Sequence, residues 1–453
     1  MKPFSFYLIT DTHYFAPEFY APGKAYDDHM SGEQKCCGET DAINRAVLKW
    51  LGETEDTDTV LIAGDLSFNG EKRSHECFLQ LLGELKAKGK RIFVITAGHD
   101  FNARPTRFTG DGREPVEGTD RHELLGMYYE YGFSDAIAVD EESLSYVAQL
   151  TDGVRLLALN NDGDYTGSKT FTARQTEWIL RQTKKAREDG QMMIAMNHYP
   201  ILPANPVFAL VDNAVMENGD NMADLLADEG VHLVFTGHMH NQSIKCRVTE
   251  HGNRFWDVCT GSVIACPAFM RRITVKDHAH VGIESIPVPE FEWKEKNVPN
   301  EKYYRRQFDM MINGYLDSAE HDPDRVFRKV GVKNAPGFAV KLLGRVGKGI
   351  NTATLGGIAK KLHIDIDPAL KEKSFREFAL GIVRNMFTGN APYVEGTPEY
   401  AFITAALGRF SLINAAVSKF VKVGGKPLDI GELVKYTVGH YGVDENDTEI
   451  TLC

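Results

Sequence analysis

The stretch Phe4-Ser5-Phe6-Tyr7-Leu8-Ile9-Thr10-Asp11-Thr12-His13 decides how the rest of the chain is read. Its first six residues are mostly aromatic or aliphatic, which predicts a buried β-strand. That strand runs straight into a carboxylate and an imidazole two residues apart. The arrangement recurs downstream. Residues 59–63 lead into Gly64-Asp65, residues 91–96 into His99-Asp100, residues 191–196 into Asn197-His198, and residues 231–236 into Gly237-His238-Met239-His240. Five strand ends therefore deliver eight His and Asp side chains. In open α/β sheets, ligands bind outside the carboxyl ends of the strands, so these groups can converge.

Amphipathic stretches at residues 41–51, 74–88, 172–187 and 221–228 lie between several of the strands, a β-then-α order that predicts a layered α/β domain. A further strand at 154–159 fits the same order, and closely spaced strands at 254–259, 270–275 and 281–286 predict an antiparallel sheet closing it. Pro287-Val288-Pro289-Glu290 marks a boundary, giving domains of residues 1–290 and 291–453. Two units suit 453 residues, because one core stops growing at about 250–300. The second unit carries helical stripes: Phe375, Phe378, Ala379, Ile382, Val383 and Met386; Tyr304, Phe308, Met311, Ile312 and Tyr315; and Ile403, Leu407, Phe410, Ile413, Val417 and Phe420. These read as helix-bundle core.

Composition narrows the function. Hydrophobic residues at 43% and charged residues at 25% describe an ordinary globular protein. The net charge of −12 argues against a nucleic-acid coat, which must neutralise phosphates with Lys and Arg. The charge is uneven: 28 basic and 43 acidic side chains in residues 1–290 give −15, whereas 23 basic and 20 acidic side chains in residues 291–453 give +3. Residues 325–361 hold nine Lys and Arg and no acid, read either as a solvated basic surface or as a cap bringing positive charge near an anionic substrate. The seven cysteines (Cys36, Cys37, Cys77, Cys246, Cys259, Cys266 and Cys453) show no C-x-x-C spacing and read as reduced thiols. There is no apolar run of about 18–20 residues and no leader ahead of Phe4, so a cytoplasmic protein without membrane contact is expected. No protein partner can be read from the residues.

Carboxylates and neutral imidazoles together suit first-row divalent ions, whereas all-oxygen sites suit Mg and Ca. Two such ions about 3.5–4 Å apart share a bridging carboxylate, for which Asp65 is the candidate, and they activate water against a phosphoryl group. A nearby His can then protonate the departing oxygen. Each motif alone is a common turn. In this order, each behind an apolar strand, they point to a metal centre.

The series Asp11-x-His13, Gly64-Asp65, His99-Asp100, His198 and Gly237-His238-x-His240 resembles the calcineurin-like metallophosphoesterase superfamily. The finer features at residues 128–138, Leu144-Ser145-Tyr146, Gln175-Thr176-Glu177-Trp178 and Thr260-Gly261-Ser262 resemble its cyclic-nucleotide phosphodiesterase-like branch, which has a helical C-terminal extension. The resemblance implies an α/β fold, a four-layer α-β-β-α sandwich, with an additional mainly helical C-terminal domain. It implies a hydrolase holding two divalent transition-metal ions (Mn, Fe or Zn). The first would lie on Asp11, His13, Asp65 and His240, the second on Asp65, His198 and His238. His99 would be the general acid or hydrogen-bond donor, oriented by Asp100, and the substrate a small phosphate ester, more specifically a phosphodiester such as a (cyclic) nucleotide.

One position departs from the family pattern, Gly-Asn-His-Asp, whose Asn oxygen binds the second metal: this chain reads Ala97-Gly98-His99-Asp100. Three explanations stand. Water takes that place at a weakened second site; or Asn102, Asn160, Asn161 or Asp162 supplies the ligand; or the site has drifted towards one metal or none, the function-level alternative being a catalytically weak, metal-holding binding protein. The first is favoured, because the remaining ligands and His99 would otherwise be costly buried polar groups. Tyr14, Asn160-Asn161 and Tyr199 follow motif strands and are candidate pocket residues. Residues 101–119 read as a gating loop or a surface loop.

Overall fold

A computed structural model describes residues 2–162, 169–210, 213–293, 295, 297–329, 337–390, 393–409, 422–423, 426–427, 429–438 and 442–452. The first strand, Phe4–Ile9, shows why the chain layers as it does. Successive side chains of a strand point to opposite faces. Phe6 meets Phe235 edge-on with ring centroids 5.4 Å apart, while Tyr7 meets Trp50 at 5.2 Å. Phe235 lies on strand Val231–Thr236 and Trp50 on helix Thr40–Glu53. One face of the strand is therefore covered by a second sheet and the other by a helix.

Among the described residues, the first sheet has the order Thr448–Thr451, His280–Pro287, Phe269–Val275, Phe4–Ile9, Thr59–Ala63, Arg91–Ile95. The second runs Ser243–Val248, Arg254–Cys259, Val231–Thr236, Met192–Met196, Val154–Ala158, Ser145–Thr151, Ala136–Asp140. The strands bearing the Asp and His motifs run parallel to one another within each sheet, Phe4–Ile9, Thr59–Ala63 and Arg91–Ile95 in the first and Met192–Met196 and Val231–Thr236 in the second. Their carboxyl ends consequently emerge on one side. On the second sheet Trp178 and Ile179 of helix Ala173–Glu188, with Ala223 and Leu226 of helix Gly219–Asp228, pack among Leu157, Met193, Ala195 and Val234. The layers are thus helix, sheet, sheet, helix, the four-layer sandwich expected.

Two expectations change. The strands at 254–259, 270–275 and 281–286 do not form one antiparallel sheet. Arg254–Cys259 joins the second sheet, parallel to Val231–Thr236, whereas Phe269–Val275 pairs antiparallel with Phe4–Ile9 in the first sheet and His280–Pro287 pairs antiparallel with Phe269–Val275. Close spacing along the chain does not distinguish a hairpin from a step between sheets. The boundary at residue 290 also moves. The first compact unit comprises Met1–Leu202, Val215–Gln307 and Val443–Cys453, and the second Pro203–Ala214 with Phe308–Gly442. The physical reason is the edge strand Thr448–Thr451, which pairs with His280–Pro287 and returns the chain's end to the first sheet.

Arg271, fully buried, secures this return. Its guanidinium donates to Thr260 Oγ1, Ser285 Oγ and the carbonyls of Cys259, Glu445 and Asn446, at 3.0–3.3 Å. It links the end of a second-sheet strand to the segment that precedes the last strand of the first sheet.

The second unit is mainly helical, including Gly337–Thr352, Leu355–Leu362, Phe375–Thr388 and Pro398–Arg409. Its core gathers Leu355, Ala359, Leu370, Phe378, Phe402, Ile403 and Val438. Phe375 and Ile382 of the first predicted stripe and Leu407 of the third pack against it. Ser374 caps the helix Phe375–Thr388 by accepting from the Glu377 amide, and Gly389 in the left-handed region ends it. Phe410, Ile413, Val417 and Phe420, residues 330–336 of the basic stretch, and Cys453 lie outside the described residues. The six described cysteines form no disulfide. No described helix is long and apolar enough to cross a membrane.

Replacing Arg271 by Met should lower unfolding stability by about 3 kcal/mol, because buried carbonyls lose their donors. A urea midpoint equal to that of the wild type would contradict this role.

Candidate metal centre

The site is built by strand ends that turn sharply. Asp11, His13, Asp65, His238 and His240 all have positive φ, between 36° and 70°. Non-glycine residues rarely take this conformation, and where they do the surrounding structure must hold them there. Here it does. The Asp11 amide donates to Gly64 O, and Ser262 Oγ donates to Asp11 O. Asp11 Oδ2 accepts from Thr10 Oγ1 and the His238 amide. Two glycines make the approach possible. A Cβ on Gly64 would lie 2.8 Å from His198 Nδ1, and one on Gly237 would lie 2.5 Å from Asp11 Oδ2.

The ligand atoms form two groups, Asp11–His13–His240 and Asp65–His198–His238, with the atoms of each within 4.8 Å of one another. Asp65 stands between the groups: its Oδ2 is 3.1 Å from His198 Nε2 and 3.7 Å from His13 Nε2. Its Oδ1 accepts from the His99 amide. All six predicted ligands are thus brought together, and Asp65 sits where a bridging carboxylate belongs.

The donor chemistry of these groups fits a cation. His198 Nδ1 lies 2.8 Å from Ala63 O, and a carbonyl can only accept, so the ring hydrogen is on Nδ1. Nε2 then faces the Asp65 carboxylate, as a lone pair in the neutral ring and as a donor once the ring takes up a proton. His13 Nε2 and His240 Nε2 are 3.1 Å apart, and His240 Nε2 is 3.2 Å from Asp11 Oδ1. Asp11 Oδ1, His13 Nδ1 and His198 Nε2 are buried without a hydrogen-bond partner. Acceptors facing acceptors out of contact with water are costly unless a positive charge lies between them. The electrostatics agree. Burial alone would raise Asp11 and Asp65, but His240 and His198 beside Asp11, and His198 and His99 beside Asp65, hold both carboxyls well below the usual range. Burial would lower His198, yet Asp65 and Asp11 outweigh it and raise the ring to about 9. The pocket draws in positive charge.

His99 borders this centre, its ring 4.9 Å from that of His13. Burial and the Lys35 ammonium push it down to about 4. The predicted partnership with Asp100 is not found. Asp100 is buried and spends both carboxylate oxygens on backbone amides, Ser67 N and Ala97 N, each at 2.8 Å. It shapes the loop, whereas Lys35 Nζ is the group beside the ring, 3.5 Å from Nε2. An ammonium can only donate, so Nε2 accepts and the hydrogen of the neutral ring sits on Nδ1, which has no partner.

Lys35 was not legible in the sequence. It is 7% exposed, its ammonium lies over the Phe68 ring, and its neighbours are pinned: Gln34 donates to Cys266 O and the Cys36 amide to Ile264 O. Only a lysine conspicuously isolated among buried segments could have signalled it, and 34–37 carries no such pattern.

The candidates for the position opposite Gly98 separate. Asn102 Oδ1 accepts from Arg104 N, Asn160 Nδ2 donates to Thr96 and Asp162 pairs with Arg121. Asn161 Nδ2 donates to Lys169 O, leaving its buried Oδ1 without a partner. Asp162 belongs to neither ligand group. Tyr14 turns away to Asp41. Tyr199 does not, and its ring lies 4.4 Å from that of His238. Residues 101–119 contain a short hairpin, Thr106–Phe108 with Arg113–Pro115.

Residues 4–242 match the calcineurin-like phosphoesterase family. Similar solved structures include a dimetal phosphatase from Danio rerio, at 14% identity and a TM-score of 0.44, covering 63% of this chain and 97% of that one. Another is a purple acid phosphatase from seeds of yellow lupin, Lupinus luteus, at 14% identity and a TM-score of 0.43, covering 65% of this chain and 53% of that one. No curated protein matches the sequence.

Metal binding is testable without turnover. Mn at about a hundred times its Kd should stabilise the metal-free protein by about 2.7 kcal/mol per site. Asp65→Asn should abolish most of that gain in a thermal unfolding series. An unaltered unfolding profile of the wild type with Mn, Zn or Fe would rule the centre out.

Proposed function

The chain belongs to the calcineurin-like phosphoesterase family, and from that premise we propose that it hydrolyses a small phosphodiester, such as a cyclic nucleotide, with two divalent ions held by Asp11, His13, Asp65, His198, His238 and His240. The observation that carries the reading is the pair of ligand groups whose acceptors face one another around Asp65. The ions, when bound, supply Lewis acidity toward the phosphoryl group and a nucleophilic water.

The protein's own residues do the remaining work. Asp65 spaces the two groups, and the His99 amide fixes its Oδ1. The unpartnered His99 Nδ1–H is a donor for an oxygen that gains charge as the P–O bond breaks. Lys35 Nζ fixes that tautomer and adds a positive charge behind it. An ester leaving group departs as an alkoxide and gains most from such help. The acidic balance of residues 1–290 also repels a dianionic monoester more than a monoanionic diester.

Gly98 favours a second reading, a metal-holding protein of little catalytic power, because no side chain reaches the second ligand group from that position. Turnover separates the two. With Mn present, the wild type should hydrolyse bis(p-nitrophenyl) phosphate, Asp65→Ala and His99→Ala should abolish it, and Lys35→Met should lower kcat about 10²-fold. Metal-loaded wild type without activity on this diester and on cyclic nucleotides would favour the second reading. Unchanged rates in Asp65→Ala and His99→Ala would overturn the mechanism.

A further inference from the structure

The place a side chain would take at Gly98 is entered by a hydroxyl and bordered by an ammonium. A Cβ built on residue 98 would meet Tyr199 Oη at 2.7 Å and Lys169 Nζ at 3.8 Å. Both groups donate hydrogen bonds, and they converge on the residue next to His99, whose amide holds Asp65 Oδ1. Tyr199 is 4% exposed and is fixed by its ring, 4.4 Å from that of His238 and 5.1 Å from that of His198. Lys169 Nζ lies 4.6 Å from the centroid of the same ring. It donates to the Asp162 carbonyl at 3.3 Å and, among the described residues, forms no ion pair.

We propose that Tyr199 Oη and Lys169 Nζ form a subsite for a phosphoryl oxygen, and that glycine at position 98 is what gives this subsite its room. The argument runs through chemistry. A half-buried ammonium with a backbone carbonyl as its partner is incompletely compensated, and a phenol beside it offers a directed donor. An anionic oxygen satisfies both; a cation or an apolar group satisfies neither. A side chain at 98 would push the phenol aside. The missing asparagine is thereby replaced by a different device, one that grips the substrate instead of the metal. This deepens the phosphoesterase reading and rests on it.

The test is calorimetric titration of inorganic phosphate into the Mn-loaded full-length protein. Tyr199→Phe removes only Oη and should weaken phosphate binding about tenfold, the size of one hydrogen bond to a charged group, with Mn stoichiometry unchanged. Lys169→Gln should weaken it at least as much. Gly98→Ala should show the same loss as Tyr199→Phe, and the Gly98→Ala/Tyr199→Phe double mutant should lose no more than either alone, since both remove one contact. Phosphate affinity within twofold of the wild type in Tyr199→Phe and Lys169→Gln would overturn the subsite while leaving the metal centre intact. Fully additive losses from Gly98→Ala and Tyr199→Phe would also overturn it. A wild type that takes up none of Mn, Zn and Fe would overturn the phosphoesterase reading, and the subsite with it.

Discussion

The structure turns on a repulsion. Imidazole nitrogens and carboxylate oxygens are held about 3 Å from one another in a buried pocket, where more lone pairs meet than hydrogens. Left to itself such a group would open to water or take up protons. It stays closed because every ligand is fastened to the backbone of a sheet, several of them in a left-handed conformation that loops seldom sustain. The parallel strands of the two mixed sheets, the buried Thr10 and Ser262 hydroxyls and the Gly64 and Gly237 approaches all serve to hold these groups together. Rigidity of this kind is what a metal site requires, since an ion then meets its ligands already in position.

Around that centre the charge changes sign over a short distance. The catalytic unit is acidic overall, yet the side chains nearest the ligand groups include two lysines, Lys35 beside His99 and Lys169 over Tyr199. The acidic surface and the basic pocket rim answer different needs. The first bears on what kind of macromolecule approaches, and the second on how an anion is held once inside. Net charge alone therefore does not show how the substrate is held.

The six candidate ligands and His99 could be brought together from the sequence because strand-end motifs report backbone position directly: a short continuous apolar run fixes where the chain leaves the sheet. The central strands and their flanking helices were legible for the same reason. Asp100 misled because a carboxylate beside a histidine in sequence is not thereby beside its ring; its oxygens went to Ser67 and Ala97 amides. Lys35 was hidden because its role depends on two distant segments, at residues 264–266 and at His99, that no local pattern connects. Gly98 was visible as a departure, but its meaning lay in Tyr199, about a hundred residues away. The strand Thr448–Thr451 was missed because four residues with three polar ones carry no hydrophobic signal; pairing with His280–Pro287 makes the strand.

That last strand gives the protein a particular order of assembly. The sheet that begins at Phe4 receives its edge only after the entire second unit has been synthesised. Until then His280–Pro287 presents open backbone amides and carbonyls, a template for any passing strand. Arg271 meanwhile lacks the Glu445 and Asn446 carbonyls. A nascent or nicked chain ending before residue 443 would therefore carry its complete set of metal ligands on an unfinished frame. Such a chain would expose an unpaired strand edge, the feature that makes incompletely folded chains prone to aggregate.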